Sequence, residues 1–221
     1  DHLDLYLLHW RGEVSLPEVL EAMERLVAAG KIRRWGVSNF DTADLKALWA
    51  IPDGDRCTTN QVWYSLGSRG IEFDLLPWQR RHHLPTMAYC PLDEGRLARH
   101  PALVAIGRRY RASPAQIALA WLLAQPDLIV IPKAGQPGHL NENLGAARLV
   151  LSAAACRRLN RKATVRANPS PTICRRPDHQ GSRAHRIHAS VGCTARPHRL
   201  HRPVRPILRR AQVPLERKLH V

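Results

Sequence analysis

No stretch of this 221-residue sequence stays apolar for the roughly 20 residues that a membrane-spanning helix requires. The segment Leu3–Leu8 runs for only six residues, with no Lys or Arg before it and no small-residue cleavage pattern after it. No secretory signal is therefore expected, and a cytoplasmic location with no membrane association is. Cysteine is sparse: Cys57, Cys90, Cys156, Cys174 and Cys193 are odd in number and include no Cys-x-x-Cys pair. That argues against a disulfide framework and for reduced intracellular thiols. No Gly-x-Gly-x-x-Gly follows any apolar run, which argues against an open dinucleotide-binding sheet. Acidic residues are scarce at one end only. The whole chain carries +16, yet residues 161–221 hold 15 Lys and Arg against two acids, Asp178 and Glu216. Residues 1–160 are close to neutral, so the basicity belongs to a tail and not to a globular nucleic-acid-binding surface.

What is present is alternation. "DLYLLHW" reads as a short apolar strand that delivers His9 and Trp10 at its carboxyl end. "SLPEVLEAMERLVAAGK" then carries apolar residues at helical spacing, opened by Ser15 and Glu18 at capping-box spacing and closed by Gly30. "IRRWGVSNF" is a strand over Trp35–Val37, and "DTADLKALWA" a helix capped by Asp41. "CTTNQVWYS" is a strand running into Asn60 and Gln61. "DLLPWQRRHH" is a helix, "PTMAYCPL" a strand ending at Tyr89, and "SPAQIALAWLLAQ" a helix with a second capping box, Ser113 and Gln116. "DLIVIPK" is a buried strand; "GHLNENLGAARL" and "SAAACRRLNRKA" are helices.

Such an order implies a parallel sheet with helical crossovers, either a doubly wound sheet or a (β/α)8 barrel. The placement of polar residues favours the barrel. His9, Ser38–Asn39, Asn60–Gln61, Tyr89 and Lys133 all fall at carboxyl ends of strands, the face on which barrel enzymes build their sites. The expected class is α/β, of TIM-barrel type but partial, with five β/α units corresponding to strands four to eight.

Six phrases, "DLYLLHW", "GKIRRWGVSNF", "NQVWYS", "MAYCPLDEGRL", "SPAQIALAWLL" and "VIPKAGQPGHLNEN", together resemble the aldo-keto reductases in order and register from Asp1 to about Asn160. The resemblance implies a barrel oxidoreductase that moves hydride between NADPH and a small aldehyde or ketone, without a metal. By that resemblance His9 is the active-site histidine, and Trp10 lines the substrate pocket. Ser38, Asn39 and Gln61 match the residues that hold the nicotinamide carboxamide, and Tyr89 the ring that stacks on it. Cys90, Pro91, Leu92 and Gly95 match the segment under the pyrophosphate. Lys133 matches the cation for the adenosine 2′-phosphate, and Glu142 and Asn143 the adenine contacts. The chemistry suits these residue types: hydride transfer needs the ring held in one orientation, and developing charge on the carbonyl oxygen needs donors converging on it.

Two kinds of departure stand out. His139 occupies a position where many members have an arginine, and Ala134 replaces a frequent serine or threonine. The preference for NADPH is therefore expected to be softened, with NADH use possible. The family's catalytic tyrosine, its lysine partner and a supporting aspartate belong to strands one to three, which have no counterpart in these residues. Tyr6 faces away from His9, and Tyr64 and Tyr110 match no catalytic position. The expectation is a partial barrel over residues 1–160, monomeric if folded and inactive by itself. The alternative is a non-catalytic nucleotide- or nucleic-acid-binding remnant.

Residues 161–221 hold seven prolines and six histidines and no Phe, Tyr or Trp. Without apolar periodicity or base-stacking rings, this tail is expected to be disordered and a poor nucleic-acid binder. Its Arg/Pro/His richness also fits an out-of-frame read of GC-rich DNA. Cys174, His179, Cys193, His198 and His201 lack zinc-ligand spacing, so no metal is expected.

Overall fold

The computed structural model describes residues 1–162. Arg161 and Lys162 close the last helix; the rest of the tail, with its expected disorder and its Cys/His set, lies outside the described residues.

Five strands, β1 (Tyr6–Leu8), β2 (Trp35–Ser38), β3 (Asn60–Trp63), β4 (Thr86–Tyr89) and β5 (Leu128–Val130), form one sheet. Every neighbouring pair is parallel, and the spatial order is the chain order, β1-β2-β3-β4-β5. A doubly wound sheet reverses its strand order at a switch point. Strictly sequential order is the winding of a (β/α) barrel, so the architecture is of TIM-barrel type. Among the described residues β1 and β5 stand at the two edges.

Helices cover one face. Helix α1 (Leu16–Ala28) starts where Ser15 Oγ accepts the Glu18 N–H at 3.4 Å, buries Leu16, Leu20 and Met23, and ends before Gly30, whose φ of +65° turns the chain. Helix α2 (Thr42–Trp49) has a reciprocal capping box between Asp41 and Asp44. Helix α3 (Leu75–Arg81) is capped by Asp74. Between β4 and β5 lie two helices, where the sequence suggested one. Helix α4 (Pro101–Tyr110) ends at Arg111 in a left-handed conformation, φ 50°, in place of a glycine stop signal. Helix α5 (Pro114–Leu123) has the expected Ser113–Gln116 capping box and buries the continuous run Ile117–Leu122. The connection between them folds back tightly on α4: a Cβ on Gly107 would sit 2.5 Å from the Ala112 carbonyl oxygen. Helices α6 (Pro137–Ala146) and α7 (Ala153–Lys162) follow.

Parallel pairing and the two-residue period of a strand assign every side chain to a face. The pairs Val37↔Asn60 and Asn60↔Thr86 place Asn60 and Thr86 on the helix-covered face with Val62, Ala88 and Val130, all buried. Ser38↔Gln61 and Gln61↔Met87 define the opposite face, reached two residues on by Trp63 and Tyr89. Asn60 thus corrects the sequence reading: it opens β3 and points behind the sheet, away from Gln61. Tyr6 pairs with Trp35 on the helix-covered side, and the alternation carried one residue past Leu8 brings His9 to the Ser38 face.

Candidate active site

On that uncovered face five of the expected residues meet: His9, Ser38, Asn39 and Tyr89 at the carboxyl ends of β1, β2 and β4, and Gln61, which is the second residue of β3 and not its end as the sequence suggested. Asn39 is the hub. Its backbone is left-handed at φ 60°, a conformation that Asn tolerates better than most residues. Its N–H donates to the Gln61 carbonyl at 2.8 Å, clamping the end of β2 to β3. Its Nδ2 donates to the His9 carbonyl and to Ser38 Oγ, each at 3.1 Å. Its Oδ1 accepts from the Tyr89 hydroxyl at 3.0 Å. Ser38, almost wholly buried, donates its hydroxyl to the Gln61 carbonyl at 2.9 Å. Asn39 reaches the backbone of His9, not its ring. The imidazole is exposed and lies 5.6 Å from the Trp10 ring, tilted by 48°. Arg11, just beyond, pairs with Asp44 at 2.5 Å and ties this loop to α2.

Gln61 has a weak partner: its Nε2 contacts the Met87 sulfur at 3.0 Å. Thioethers are poor acceptors, so a carbonyl presented here would take over that donor. Ser38 Oγ and Asn39 Nδ2 beside it already donate to the Gln61 carbonyl, the His9 carbonyl and Ser38 Oγ, so Gln61 Nε2 is the donor this group holds ready for the oxygen of an incoming amide. The Tyr89 ring reaches across this group, and a carboxamide-bearing aromatic ring fits the arrangement.

The loop after β4 turns through an unusual run of positive φ, Cys90 at 49°, Asp93 at 51°, Glu94 at 55° and Gly95 at 86°. Buried Pro91 and half-buried Leu92 anchor it, with Asp93 N–H on the Cys90 carbonyl and Gly95 N–H on that of Leu92. Arg96, which sequence reasoning did not single out, forms a two-pronged ion pair with Asp93 there. Trp63 was also missed; it pairs with Tyr89 across β3 and β4 and shares the face of Gln61.

A second group sits apart from the first. Lys133 lies in the loop beyond β5, three residues past the end of that strand, and is exposed, as is His139 in the first turn of α6. Glu142 and Asn143 are half-buried one turn on. Gln116 of α5 donates to the Glu142 carbonyl at 3.1 Å, which fixes α6 against α5. Asn143 Nδ2 is one of four buried side-chain nitrogens without a hydrogen-bond partner among the described residues. A buried amide left unpaired is costly, and it fits a position completed by a polar ligand. Among the described residues no group of three His, Cys, Asp or Glu is placed to hold a metal, and no helix is long and apolar enough to cross a membrane.

Comparison with known proteins supports the fold. The methylglyoxal reductase YeaE of Escherichia coli is 46% identical over 176 residues, covering 77% of this chain and 60% of that protein. The glyoxal reductase of Bacillus subtilis is 33% identical over 144 residues, 65% of this chain and 50% of its own length. A crystal structure of an aldo-keto reductase from Klebsiella pneumoniae in complex with NADPH superposes with a TM-score of 0.74 at 48% identity, over 77% of this chain and 62% of that one. The chain thus spans about half to three fifths of the length of these relatives. The Aldo/keto reductase family pattern itself matches residues 1–164, and with the sequential parallel strands and the residues gathered around Asn39 this places the chain in the aldo/keto reductase family.

Proposed function

We propose that this chain supplies the cofactor-gripping and histidine-bearing part of an NAD(P)H-dependent reductase of small aldehydes and ketones. The observation that carries the reading is the hydrogen-bond chain from the Tyr89 hydroxyl through Asn39 to His9 and Ser38, at the carboxyl ends of three parallel strands, β1, β2 and β4. The names of the relatives point the same way: methylglyoxal and glyoxal are small carbonyl compounds, and the Klebsiella protein was crystallised with NADPH.

In this reading Ser38, Asn39 and Gln61 hold the nicotinamide carboxamide and so fix which face of the ring is presented, with Tyr89 against the other face. When bound, the reduced nicotinamide supplies the hydride. His9, exposed beside Trp10, orients the carbonyl oxygen, and Trp10 lines the substrate pocket. Cys90, Pro91, Leu92 and Gly95 pass under the pyrophosphate. Lys133 and His139 meet the 2′-phosphate, Glu142 and Asn143 the adenine. Because His139 offers less charge than an arginine would, the preference for NADPH over NADH stays below the order of a thousandfold.

A proton donor is a separate requirement. The Tyr64 hydroxyl donates to Glu72, that of Tyr110 to Ser152 and that of Tyr89 to Asn39, while Tyr6 lies on the helix-covered side. The 221 residues by themselves therefore bind the nucleotide but turn over aldehydes far more slowly than an enzyme with a tyrosine acid beside the histidine. A fluorescence titration with NADPH and NADH, paired with a methylglyoxal reduction assay, tests both halves. Saturable NADPH binding without normal turnover is expected. Failure to bind either nucleotide refutes the site assignment, and an ordinary enzymatic rate refutes the need for a further acid.

A further inference from the structure

Asn39 sits in a strained conformation, and something must hold it there. A non-glycine residue at φ 60° costs on the order of 1 kcal/mol, and only its surroundings can keep it in place. The front of the sheet supplies the Tyr89 hydroxyl. The back supplies a chain of side chains that neither the family resemblance nor the site description used.

The next residue, Phe40, is fully buried just past the end of β2, where its backbone has no strand to pair with. The side-chain amide of Asn60 serves instead. The Phe40 N–H donates to Asn60 Oδ1 at 3.4 Å, and Asn60 Nδ2 donates to the Phe40 carbonyl at 2.9 Å. Asn60 Nδ2 also lies 3.3 Å from Gln79 Oε1 of α3, and Gln79 Nε2 donates to Thr86 Oγ1 of β4 at 2.9 Å. Asn60, Gln79 and Thr86 are at most 1% exposed. Three linked polar side chains in a core are costly unless every group is satisfied. Their neighbours on this face, Val62, Ala88 and Val130, are ordinary apolar residues, so packing alone does not call for amides here.

We propose that Asn60, braced by Gln79 and Thr86, is a positioning residue that holds the Asn39 turn ready for the nicotinamide carboxamide. It touches no ligand. It acts by locking Phe40, and Phe40 sets the direction in which Asn39 leaves β2. The relay ends on β4, the strand that carries Tyr89, so one buried chain couples both sides of the grip. This inference rests on the reading of Ser38, Asn39 and Gln61 as the carboxamide site.

The test compares two ligands on the full 221-residue chain. NADPH carries the nicotinamide; 2′-phosphoadenosine diphosphoribose is the same molecule without it. Asn60→Ala is expected to weaken NADPH binding about tenfold, the effect of one or two buried hydrogen bonds, and to leave the nicotinamide-free ligand within about twofold. A general loss of structure would weaken both alike, so equal weakening overturns the proposal. So does unchanged NADPH affinity. Should Asn60→Ala fail to melt cooperatively, Gln79→Met decides: it keeps the volume, leaves the bond from Asn60 to Phe40, and is expected to cost about threefold on NADPH alone. No change on NADPH in that variant overturns the proposal. A wild-type chain that does not bind NADPH refutes the site reading and this inference together. A wild-type chain that binds it, with both variants equally tight, refutes only the positioning role.

Discussion

Replacing Glu72 by alanine should remove the keystone of the helical layer. Glu72 lies in the turn after β3. Arg69, only about 10% exposed at its side chain, donates Nε to Glu72 Oε1 at 2.8 Å and Nη2 to Oε2 at 2.6 Å. The Tyr64 hydroxyl donates to Glu72 Oε1 at 2.6 Å, and burial together with this carboxylate pushes Tyr64 ionisation well above the usual tyrosine range. From there the contacts spread. Arg69 Nη1 reaches the Asn160 carbonyl of α7, Asn160 Oδ1 accepts from Trp121 Nε1 of α5, and the guanidinium lies 5.3 Å over the Trp121 ring. Truncating Glu72 leaves a nearly buried guanidinium with a single carbonyl partner and leaves the Tyr64 O–H without its acceptor. Breaking a buried pair costs about 3–5 kcal/mol; since Glu72 keeps about a quarter of its exposure, the lower end, about 3 kcal/mol, applies. For a chain of this size that lowers Tm by about 6–12 °C. Urea unfolding followed by tryptophan fluorescence reads it directly, Trp121 being part of the network. The double variant Arg69→Met with Glu72→Leu leaves no orphaned charge and should lose less than Glu72→Ala alone. A single-variant cost below about 1 kcal/mol, or a double variant worse than the single, would refute the argument.

Gly36→Ala should destabilise by about 2 kcal/mol, because its Cβ would stand 2.7 Å from the Thr59 carbonyl oxygen and 2.8 Å from Leu7 Cδ2; an unchanged thermal midpoint contradicts this. Ser113→Ala removes the cap of α5 and should cost about 1 kcal/mol by the same urea assay. Burial pushes the Cys57 thiol from about 9 up to about 12. The folded state then holds this proton more tightly than the unfolded one, so the stabilisation is complete below pH 9 and drains away as pH climbs toward 12. Cys57→Ala should flatten that alkaline decline, and the wild-type thiol should resist alkylation at pH 8 until the chain unfolds. A steep decline that persists in the variant would place its cause elsewhere.

Much of the site was legible because it depends on short-range order. An apolar run that stops at a polar residue marks the end of a parallel strand, and His9, Ser38, Asn39 and Tyr89 declare themselves in that way, whereas Gln61 lies near the start of β3 and not at its end. Capping residues such as Asp41 and Ser113 act within one helical turn, so their spacing is readable directly. Helix α4 was not: only Leu103, Ile106 and Gly107 are buried in it, and it ends on a left-handed arginine where a glycine would have been the signal.

Asn60 shows where such reading stops. Its neighbour Gln61 faces the uncovered side of the sheet, and nothing local says that Asn60 faces the other. Strand pairing decides that, since a shift of one residue exchanges the two faces. The same holds for Arg69 and Asn160, joined across 91 positions of chain, and for the Asn39 side chain, which gathers β1, β2 and β4. The sequence by itself determined most of the elements and the family's residue types, because propensity and periodicity act between near neighbours. Only the tertiary structure decided the sequential strand order, the buried relay behind Asn39 and the partners of each polar group. Those depend on which distant surfaces pack together, a choice settled by the fold as a whole.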